Sequence, residues 1–114
     1  MHELSIANAI LDAVREERAR LNGPRVIKVG VRIGALAGVD PEALSFGFEV
    51  LVKDTDLDPL RLEIESSSRR QECPHCRHVF TVVDYQVDCP DCGSEDTRCI
   101  GGDELELAYL EVEE

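Results

Sequence analysis

Apolar residues in the first twenty positions recur at steps of three and four, which is the spacing of one helix face. The stripe consists of Leu4, Ala7, Leu11 and Val14, and it is widened by Ile6, Ile10 and Ala13. The sequence therefore predicts an amphipathic helix from Leu4 to Leu21. We expect Asn22-Gly23-Pro24 to end this helix, with glycine at the C′ position and proline unable to continue the helix.

Two later segments alternate apolar and polar residues, which is the period of a strand with one buried face. The first, VIKVGVRI, spans residues 26–33, and the second, LRLEIE, spans residues 60–65. Between them, Asp40-Pro41-Glu42 has the form of a helix start, with a capping acid, an N1 proline and an acid in the first turn. We expect this second helix to end near Lys53. Its apolar face comprises Leu44, Phe48, Leu51 and Val52.

The remaining chain contains a cysteine-bearing block between two connecting segments. Residues 66–70 are interpreted as a linker, and residues 73–99 contain all five cysteines. Gly101-Gly102 is interpreted as a hinge, and ELELAYLEV, at residues 104–112, as a last strand that returns to the sheet.

These elements predict an α+β fold with two helices packed on a small three-stranded sheet and the cysteine module inserted before the last strand. The predicted domains are residues 1–68 together with 101–114, and residues 69–100.

Composition changes this picture mainly through charge. Twelve Lys and Arg against 24 Asp and Glu give a formal net charge of -12. This charge argues against nucleic acid as a partner, because phosphate neutralisation requires a basic face. The N-terminus is acidic without a following secretory h-region, and no apolar run reaches the roughly 18 residues of a membrane span. We therefore expect a cytoplasmic protein that binds neither nucleic acid nor membrane.

In the cytosol thiols stay reduced, so the cysteines indicate metal binding rather than disulfides. Cys73-Pro-His-Cys76 and Cys89-Pro-Asp-Cys92 are two CxxC knuckles separated by the twelve residues 77–88. Each knuckle brings two thiolates to one ion, and two knuckles complete a tetrahedron of four sulfurs, as in structural zinc sites. A closed shell of sulfur leaves no open position for a substrate. The module is thus predicted to be a zinc ribbon with a structural ion.

Details around the knuckles fit this interpretation, and two alternatives remain. The apolar residues within 79–83 predict a short hairpin, and Gly93 suits a turn with positive φ. A redox CxxC pair would require a surrounding βαβ unit, which neither motif has. Iron on the same four cysteines would use the same ligands.

Three further residues near the knuckles could take part in chemistry. We expect His75 and His78 to be solvated or to bond to a knuckle thiolate, with replacement of a cysteine ligand by histidine as the alternative. Cys99 lies outside the CxxC spacing and is expected to be a small, partly buried apolar residue.

The start of the chain, Met1-His2-Glu3, offers a different kind of chelate. If a metal displaces the proton of the His2 amide, that nitrogen and Nδ1 of His2 close a six-membered ring on the metal. The Glu3 amide nitrogen or the Met1 amine closes a five-membered ring on the other side, and the fourth ligand must come from elsewhere. Three nitrogens in a plane suit Ni(II) or Cu(II) rather than Zn(II). The alternative is a frayed His2 and a Glu3 that stabilises a helix N-terminus.

Three features together resemble one known family. They are the MHELSI start, the stretch RIGALAGVDPEALSFGFEVL at residues 32–51, and the cysteine quartet followed by a short strand-forming tail. In this order they resemble the HypA/HybF family of hydrogenase nickel-incorporation proteins over essentially the whole chain. The resemblance implies a metallochaperone that delivers Ni(II) to the large subunit of [NiFe]-hydrogenase during maturation. It also implies a HypB-type nickel GTPase as partner and, in some organisms, urease accessory proteins.

The resemblance assigns the two metals to different residues. Ni(II) is the cargo and falls on Met1, His2 and Glu3 of a nickel-binding α/β domain. Zn(II) is structural and falls on the ribbon cysteines Cys73, Cys76, Cys89 and Cys92.

This sequence departs from the family pattern in two places. Some members have a further nickel-ligating histidine near the end of the zinc domain, where this chain has Arg98 and Cys99. Some also place histidine directly after each knuckle, where this chain has Arg77 and Gly93.

We find no sequence pattern typical of catalysis: no activated nucleophile, no phosphate-binding glycine loop and no metalloprotease motif. We therefore expect a carrier without catalytic or cofactor-binding residues. The competing hypotheses are a zinc-ribbon nucleic-acid adaptor, an iron electron carrier on the four cysteines, and an enzyme with a second metal at His2.

Overall fold

The structure is a computed structural model in which residues 3–113 are described. The two long helices are α1 (Glu3–Arg20) and α2 (Pro41–Val52), and a short 3₁₀ helix covers Ala35–Ala37. The strands are β1 (Val26–Gly34), β2 (Arg61–Ser67), β3 (Arg70–Glu72), β4 (Val79–Thr81), β5 (Arg98–Gly101) and β6 (Leu105–Val112). The predicted α+β fold class is confirmed.

The described chain forms two compact units. The first contains α1, α2 and most of β1, β2 and β6, and the second contains Ile33–Ala37 and Ser66–Leu105. The strands form two three-stranded sheets, with the orders β2-β1-β6 and β4-β3-β5.

Helix α1 buries most of the predicted stripe, although Leu4 is 51% exposed, and it ends in a different way from the prediction. The buried residues are Ile6, Ala7, Ile10, Leu11 and Val14. At the end of the helix, the N–H of Asn22 donates to the carbonyl of Ala19, and the N–H of Gly23 donates to that of Arg18. These two bonds form a Schellman motif in which Asn22, with φ of 63°, takes the C′ position. The assignment of that position to Gly23 was wrong, because asparagine also tolerates the left-handed conformation.

Helix α2 begins as predicted. The Asp40 carboxylate accepts hydrogen bonds from the N–H groups of Glu42 and Ala43, at 3.0 and 3.3 Å, and proline follows the cap. The helix buries Leu44, Phe48 and Val52 in the core, and α1 packs against α2.

Strand β1 lies at the centre of the first sheet and is covered on both faces. Val29 and Val31 are fully enclosed in the core. On the opposite face Gly30 is also buried, because a Cβ atom there would lie 2.0 Å from Cε1 of Tyr109 on β6. The tyrosine ring therefore occupies the space above the glycine. Both faces of the strand are covered, whereas its alternating pattern predicts one buried face.

The second sheet uses a strand that the sequence analysis missed. β3 pairs antiparallel with β4, with Gln71 opposite Phe80, and with β5, where Gln71 lies opposite Cys99. The predicted linker at 66–70 is therefore wrong at both ends, since β2 continues to Ser67 and β3 starts at Arg70. The prediction of a hairpin within residues 79–83 is also wrong, because β4 pairs with β3, which lies outside that segment.

The two glycines interpreted as a hinge are closely packed. Both Gly101 and Gly102 are buried, and a Cβ atom on Gly102 would lie 2.5 Å from Cα of Arg69. The Glu104 carboxylate accepts hydrogen bonds from the Gly102 N–H and the Ser67 hydroxyl. The glycines thus allow close approach of two backbone segments, a tighter arrangement than a hinge.

Candidate metal centre

The first CxxC knuckle is a tight turn closed by backbone hydrogen bonds. It starts directly after β3, and the N–H of Cys73 donates to the carbonyl of His78 at 2.9 Å. The N–H of Arg77 donates back to the carbonyl of Cys73 at 2.8 Å. Arg77 has a φ of 65°, so a non-glycine residue adopts the left-handed conformation that completes the turn.

The second knuckle repeats this pattern with the same residue spacing. The N–H of Cys89 donates to the carbonyl of Ser94, and the N–H of Gly93 donates to the carbonyl of Cys89, both at 2.9 Å. Gly93 has a φ of 76°, as predicted for the residue after this knuckle. Two copies of one turn therefore present two thiols each.

The structure brings the four predicted cysteines together. The Sγ atoms of Cys73, Cys76, Cys89 and Cys92 all lie within 4.8 Å of one another. Two contacts cross between the knuckles, at 3.6 Å from Cys73 Sγ to Cys92 Sγ and 3.5 Å from Cys76 Sγ to Cys89 Sγ. Four sulfurs at zinc–sulfur bond length around a tetrahedral ion lie about 3.8 Å apart. The donor set and its spacing are therefore able to hold one metal ion.

The thiols strongly influence one another's ionisation. Burial raises the pKa of Cys89, but the N–H groups of Cys92 and Asp91 and the neighbouring thiols lower it to about 6. The N–H of His78 lowers the pKa of Cys76, whereas the Cys89 thiol, desolvation and the other thiols raise it to about 12. Ionisation of one thiol thus opposes ionisation of its neighbours. A cation at the centre would remove this opposition, because it stabilises all four thiolates together.

Burial divides the cluster into an inner and an outer pair. Cys73 and Cys89, the first cysteine of each knuckle, are buried, whereas Cys76 and Cys92 are exposed. The metal position would therefore lie near the surface of the second unit, with one side shielded from water.

The two histidines near the knuckles face carboxylates. His75 Nε2 lies 3.5 Å from Asp96 Oδ2, and His78 Nδ1 lies 3.4 Å from Asp91 Oδ2. The His78 ring also stacks on Phe80, with a centroid distance of 5.9 Å. In the described part of the chain, the four cysteines are the only group of three or more His, Cys, Asp or Glu side chains close enough together to hold a metal ion.

Cys99 differs from its expected environment. It was expected to be partly buried, but it is exposed, and its thiol donates to the carbonyl of Gly101 at 3.3 Å. The expectation was wrong because Cys99 lies on β5, an edge strand of the small second sheet.

The predicted nickel residues are only partly described. Met1 and His2 lie outside the described residues. Glu3 is the first residue of α1, and its Oε2 atom accepts a hydrogen bond from the N–H of Asp40 at 3.0 Å. The sequence predicts Asp40 as a helix cap alone, because no local pattern links residues that lie 37 positions apart. The start of α1 is therefore fastened to the start of α2.

Fold and site together define a class of protein: a small α+β protein that carries a four-cysteine module able to hold a metal ion. A model of the family described as "hydrogenase/urease nickel incorporation, metallochaperone, hypA" matches residues 1–112. The chain belongs to this HypA family of nickel metallochaperones.

Relatives of similar length support this assignment. The hydrogenase maturation factor HypA of Alkalilimnicola ehrlichii is 42% identical over 113 residues, which cover 99% of this chain and 100% of the relative. That of a Roseiflexus species is 41% identical over 115 residues, which cover 100% of this chain and 94% of the relative. The resemblance noted in the sequence is thereby confirmed.

Solved structures agree with the fold. The solution structure of the Ni metallochaperone HypA from Helicobacter pylori has a TM-score of 0.63 at 29% identity, and covers 98% of this chain and 97% of its own. A second structure, described as the solution structure of HypA protein, has a TM-score of 0.71 at 26% identity and covers 98% and 96%. Among the described residues of this chain, no helix combines the length and the apolar character needed to cross a bilayer.

Proposed function

We propose that this protein carries Ni(II) to the large subunit of a [NiFe]-hydrogenase during maturation. The observation that carries the proposal is the match of the HypA family model to residues 1–112, which include both the MHE start and the cysteine quartet. A HypB-type nickel GTPase is the proposed second partner, and urease accessory proteins are further partners where urease is present. The protein acts as a carrier, without catalytic residues of its own.

The proposed nickel site is Met1-His2-Glu3. Nδ1 and the amide nitrogen of His2, with the Glu3 amide or the Met1 amine, supply planar nitrogen ligation that suits Ni(II). The contact between Glu3 and Asp40 is compatible with this proposal, because it engages the side-chain carboxylate of Glu3, whereas the proposed ligand is the backbone amide. An incomplete ligand set suits a carrier, which must release its metal.

The proposed role of the cysteine cluster is structural. Cys73, Cys76, Cys89 and Cys92 would hold Zn(II), which four thiolates bind tetrahedrally and without an open position. Zinc supplies folding free energy in such modules and takes no part in nickel chemistry. We assign residues 69–100 to the zinc ribbon and residues 1–68 with 101–114 to the nickel domain.

Metal analysis and nickel X-ray absorption of the untagged protein test the proposal. We expect one zinc ion with sulfur ligands and one Ni(II) ion with nitrogen and oxygen ligands. In the His2→Ala variant, stoichiometric Ni(II) binding should be lost while zinc content stays unchanged. Wild-type nickel affinity in this variant would overturn the N-terminal site.

The same measurements separate this proposal from its rivals. Iron in place of zinc, with visible colour that bleaches on reduction, would favour an electron carrier. Adding residues before Met1 distinguishes the two possible chelates, one that uses the Met1 amine and one that uses the Glu3 amide. Loss of nickel on extension indicates the Met1 amine as ligand, and retention indicates the Glu3 amide.

A further inference from the structure

The ribbon carries an open groove beside a strained turn. The groove has a volume of about 480 Å³ and lies between β4 and the segment before the second knuckle. Its lining residues are Phe80, Thr81, Val83, Asp84, Gln86, Asp88, Cys89 and Pro90. Apolar side chains and carboxylates thus share one concave surface of this unit.

The turn at the edge of the groove has an unusual backbone for its residues. The N–H of Gln86 donates to the carbonyl of Val83, and the two central residues, Asp84 and Tyr85, have φ of 53° and 62°. Two consecutive positive φ values define a type I′ turn, which strongly favours Asn-Gly. Tyrosine is a poor residue for the second position, because its Cβ atom clashes in the left-handed conformation.

The strained turn exposes apolar groups that the fold does not use. Tyr85 is 92% exposed and Val83 is 65% exposed. Asp84 and Gln86, which flank Tyr85 in the chain, both line the groove. A bulky ring at a position that disfavours it, without burial in return, indicates a role outside folding.

Charge defines what this surface would bind. From Val79 to Thr97 the chain has no Lys or Arg and five acids, namely Asp84, Asp88, Asp91, Glu95 and Asp96. Asp84 and Asp88 line the groove itself. A second copy of this chain, which carries a net charge of -12, would meet repulsion at this surface, whereas a basic segment would meet attraction.

We propose that this groove and Tyr85 form a docking surface for an extended segment of a partner protein that carries Lys or Arg beside an apolar side chain. The apolar side chain enters the groove between Phe80 and Val83, and the cation meets the carboxylates of Asp84 and Asp88. Tyr85 covers the bound segment from the edge of the groove. The inference deepens the proposed function, because it rests on this chain acting together with partner proteins, but it does not depend on nickel.

Selection from a random peptide library displayed on phage tests this proposal. The target is the zinc-loaded full chain, with counter-selection on the Tyr85→Gly variant. Glycine preserves the turn and removes the ring, so this variant tests the ring alone. We expect enriched peptides to contain Lys or Arg next to an apolar residue. The dominant peptide, once synthesised, should bind Tyr85→Gly at least about tenfold more weakly than it binds the wild type, which is the loss of affinity typical of truncating an anchor residue at an interface.

Two control variants and one stability measurement accompany the binding assay. The Tyr85→Phe variant keeps the aromatic ring. The Asn22→Gly variant introduces glycine at another position of left-handed conformation, with φ of 63°. Both variants should bind the peptide as the wild type does. Tyr85→Gly should melt about 2–5 °C higher, since glycine relieves the strain. A lower melting temperature would show that Tyr85 serves the fold and would overturn the proposal.

Several results of the selection would also overturn it. These are a consensus without a basic residue, binding that Tyr85→Gly leaves unchanged, or the absence of any enriched peptide. Self-association of the wild type that Tyr85→Gly abolishes would assign the surface to a second copy instead. Nickel binding measured on the same samples keeps the two proposals apart. If the wild type binds nickel and Tyr85→Gly binds the peptide as well as the wild type does, only the docking surface is overturned. If the wild type binds no nickel, the carrier function is overturned.

Discussion

Arg77 takes the same place in the first knuckle that Gly93 takes in the second. Both residues follow the second cysteine of their knuckle, with φ of 65° and 76°. Both donate their N–H to the carbonyl of the first cysteine, at 2.8 and 2.9 Å. One turn geometry is thus built once with a residue that suits it and once with a residue that does not.

This equivalence predicts opposite effects of two matched substitutions. Arg77→Gly should raise the free energy of unfolding by about 1 kcal/mol, because it relieves a left-handed non-glycine residue. Gly93→Ala should lower it by a similar amount. Chemical denaturation of the zinc-loaded protein measures both values, and equal signs for the two variants would contradict the prediction.

Removal of one buried thiol should release the metal. Cys73 is fully buried at the start of the first knuckle, and the Cys73→Ser variant leaves an incomplete sulfur shell. We expect the zinc content to fall well below stoichiometric and the amide signals of residues 69–100 to lose their dispersion in NMR spectra. Cys99→Ser is the matched control and should keep its zinc, since Cys99 lies outside the cluster. Stoichiometric zinc in Cys73→Ser would refute the assignment of this ligand.

Glu3 should matter for stability more than for nickel affinity. Its carboxylate accepts a hydrogen bond from Asp40 N–H, whereas the proposed nickel donor is its backbone amide, which alanine retains. Glu3→Ala should therefore lower stability by about 1 kcal/mol and change nickel affinity little. Glu16→Ala, on the exposed face of the same helix, is the control for a lost charge. A large loss of nickel affinity in Glu3→Ala would instead indicate the carboxylate as a ligand.

The hydrogen bond between Tyr109 and Glu63 should be visible in titrations. The tyrosine hydroxyl donates to Glu63 Oε1 at 2.7 Å. This bond and desolvation raise the pKa of Tyr109 to about 12. The same bond, followed by Lys28, lowers the pKa of Glu63.

The signs of the two pH dependences differ. The raised pKa of Tyr109 contributes stability below its ordinary pKa of 10.0, and this contribution disappears as pH rises towards about 12. The lowered pKa of Glu63 contributes stability above its ordinary value of 4.5, and acid removes it. In Tyr109→Phe we expect the pKa of Glu63, measured by NMR, to rise. An unchanged value would contradict this contact.

Local signals accounted for the parts of the structure that the sequence predicted well. The stripe that includes Ile10 and Val14 fixed α1, the capping acid Asp40 fixed the start of α2, and the CxxC spacing fixed which thiols meet. In the helices and within each knuckle, the residues that carry the signal lie within a few positions of one another, and the shared chemistry of the four thiols supplies the link between the two knuckles.

The missed features depend on partners that are distant in sequence. Strand β3 has three residues and no alternation, and it exists because β4 and β5 pair with it. The contact between Glu3 and Asp40 likewise joins two helix starts that no sequence period relates. The burial of Gly30 follows from the position of Tyr109 on another strand. Such features need the tertiary fold before they can be inferred.

The pairing of β3 with β5 places Arg70 opposite Gly101. The chain therefore leaves this sheet beside the point at which it arrived, and the two ends of the intervening segment are neighbours in space. A segment with adjacent ends can be exchanged as a cassette, because its replacement requires no rerouting of the flanking chain. Ribbons with other loop lengths or other surface residues could be grafted at the same two positions, which makes this module a portable part of the molecule.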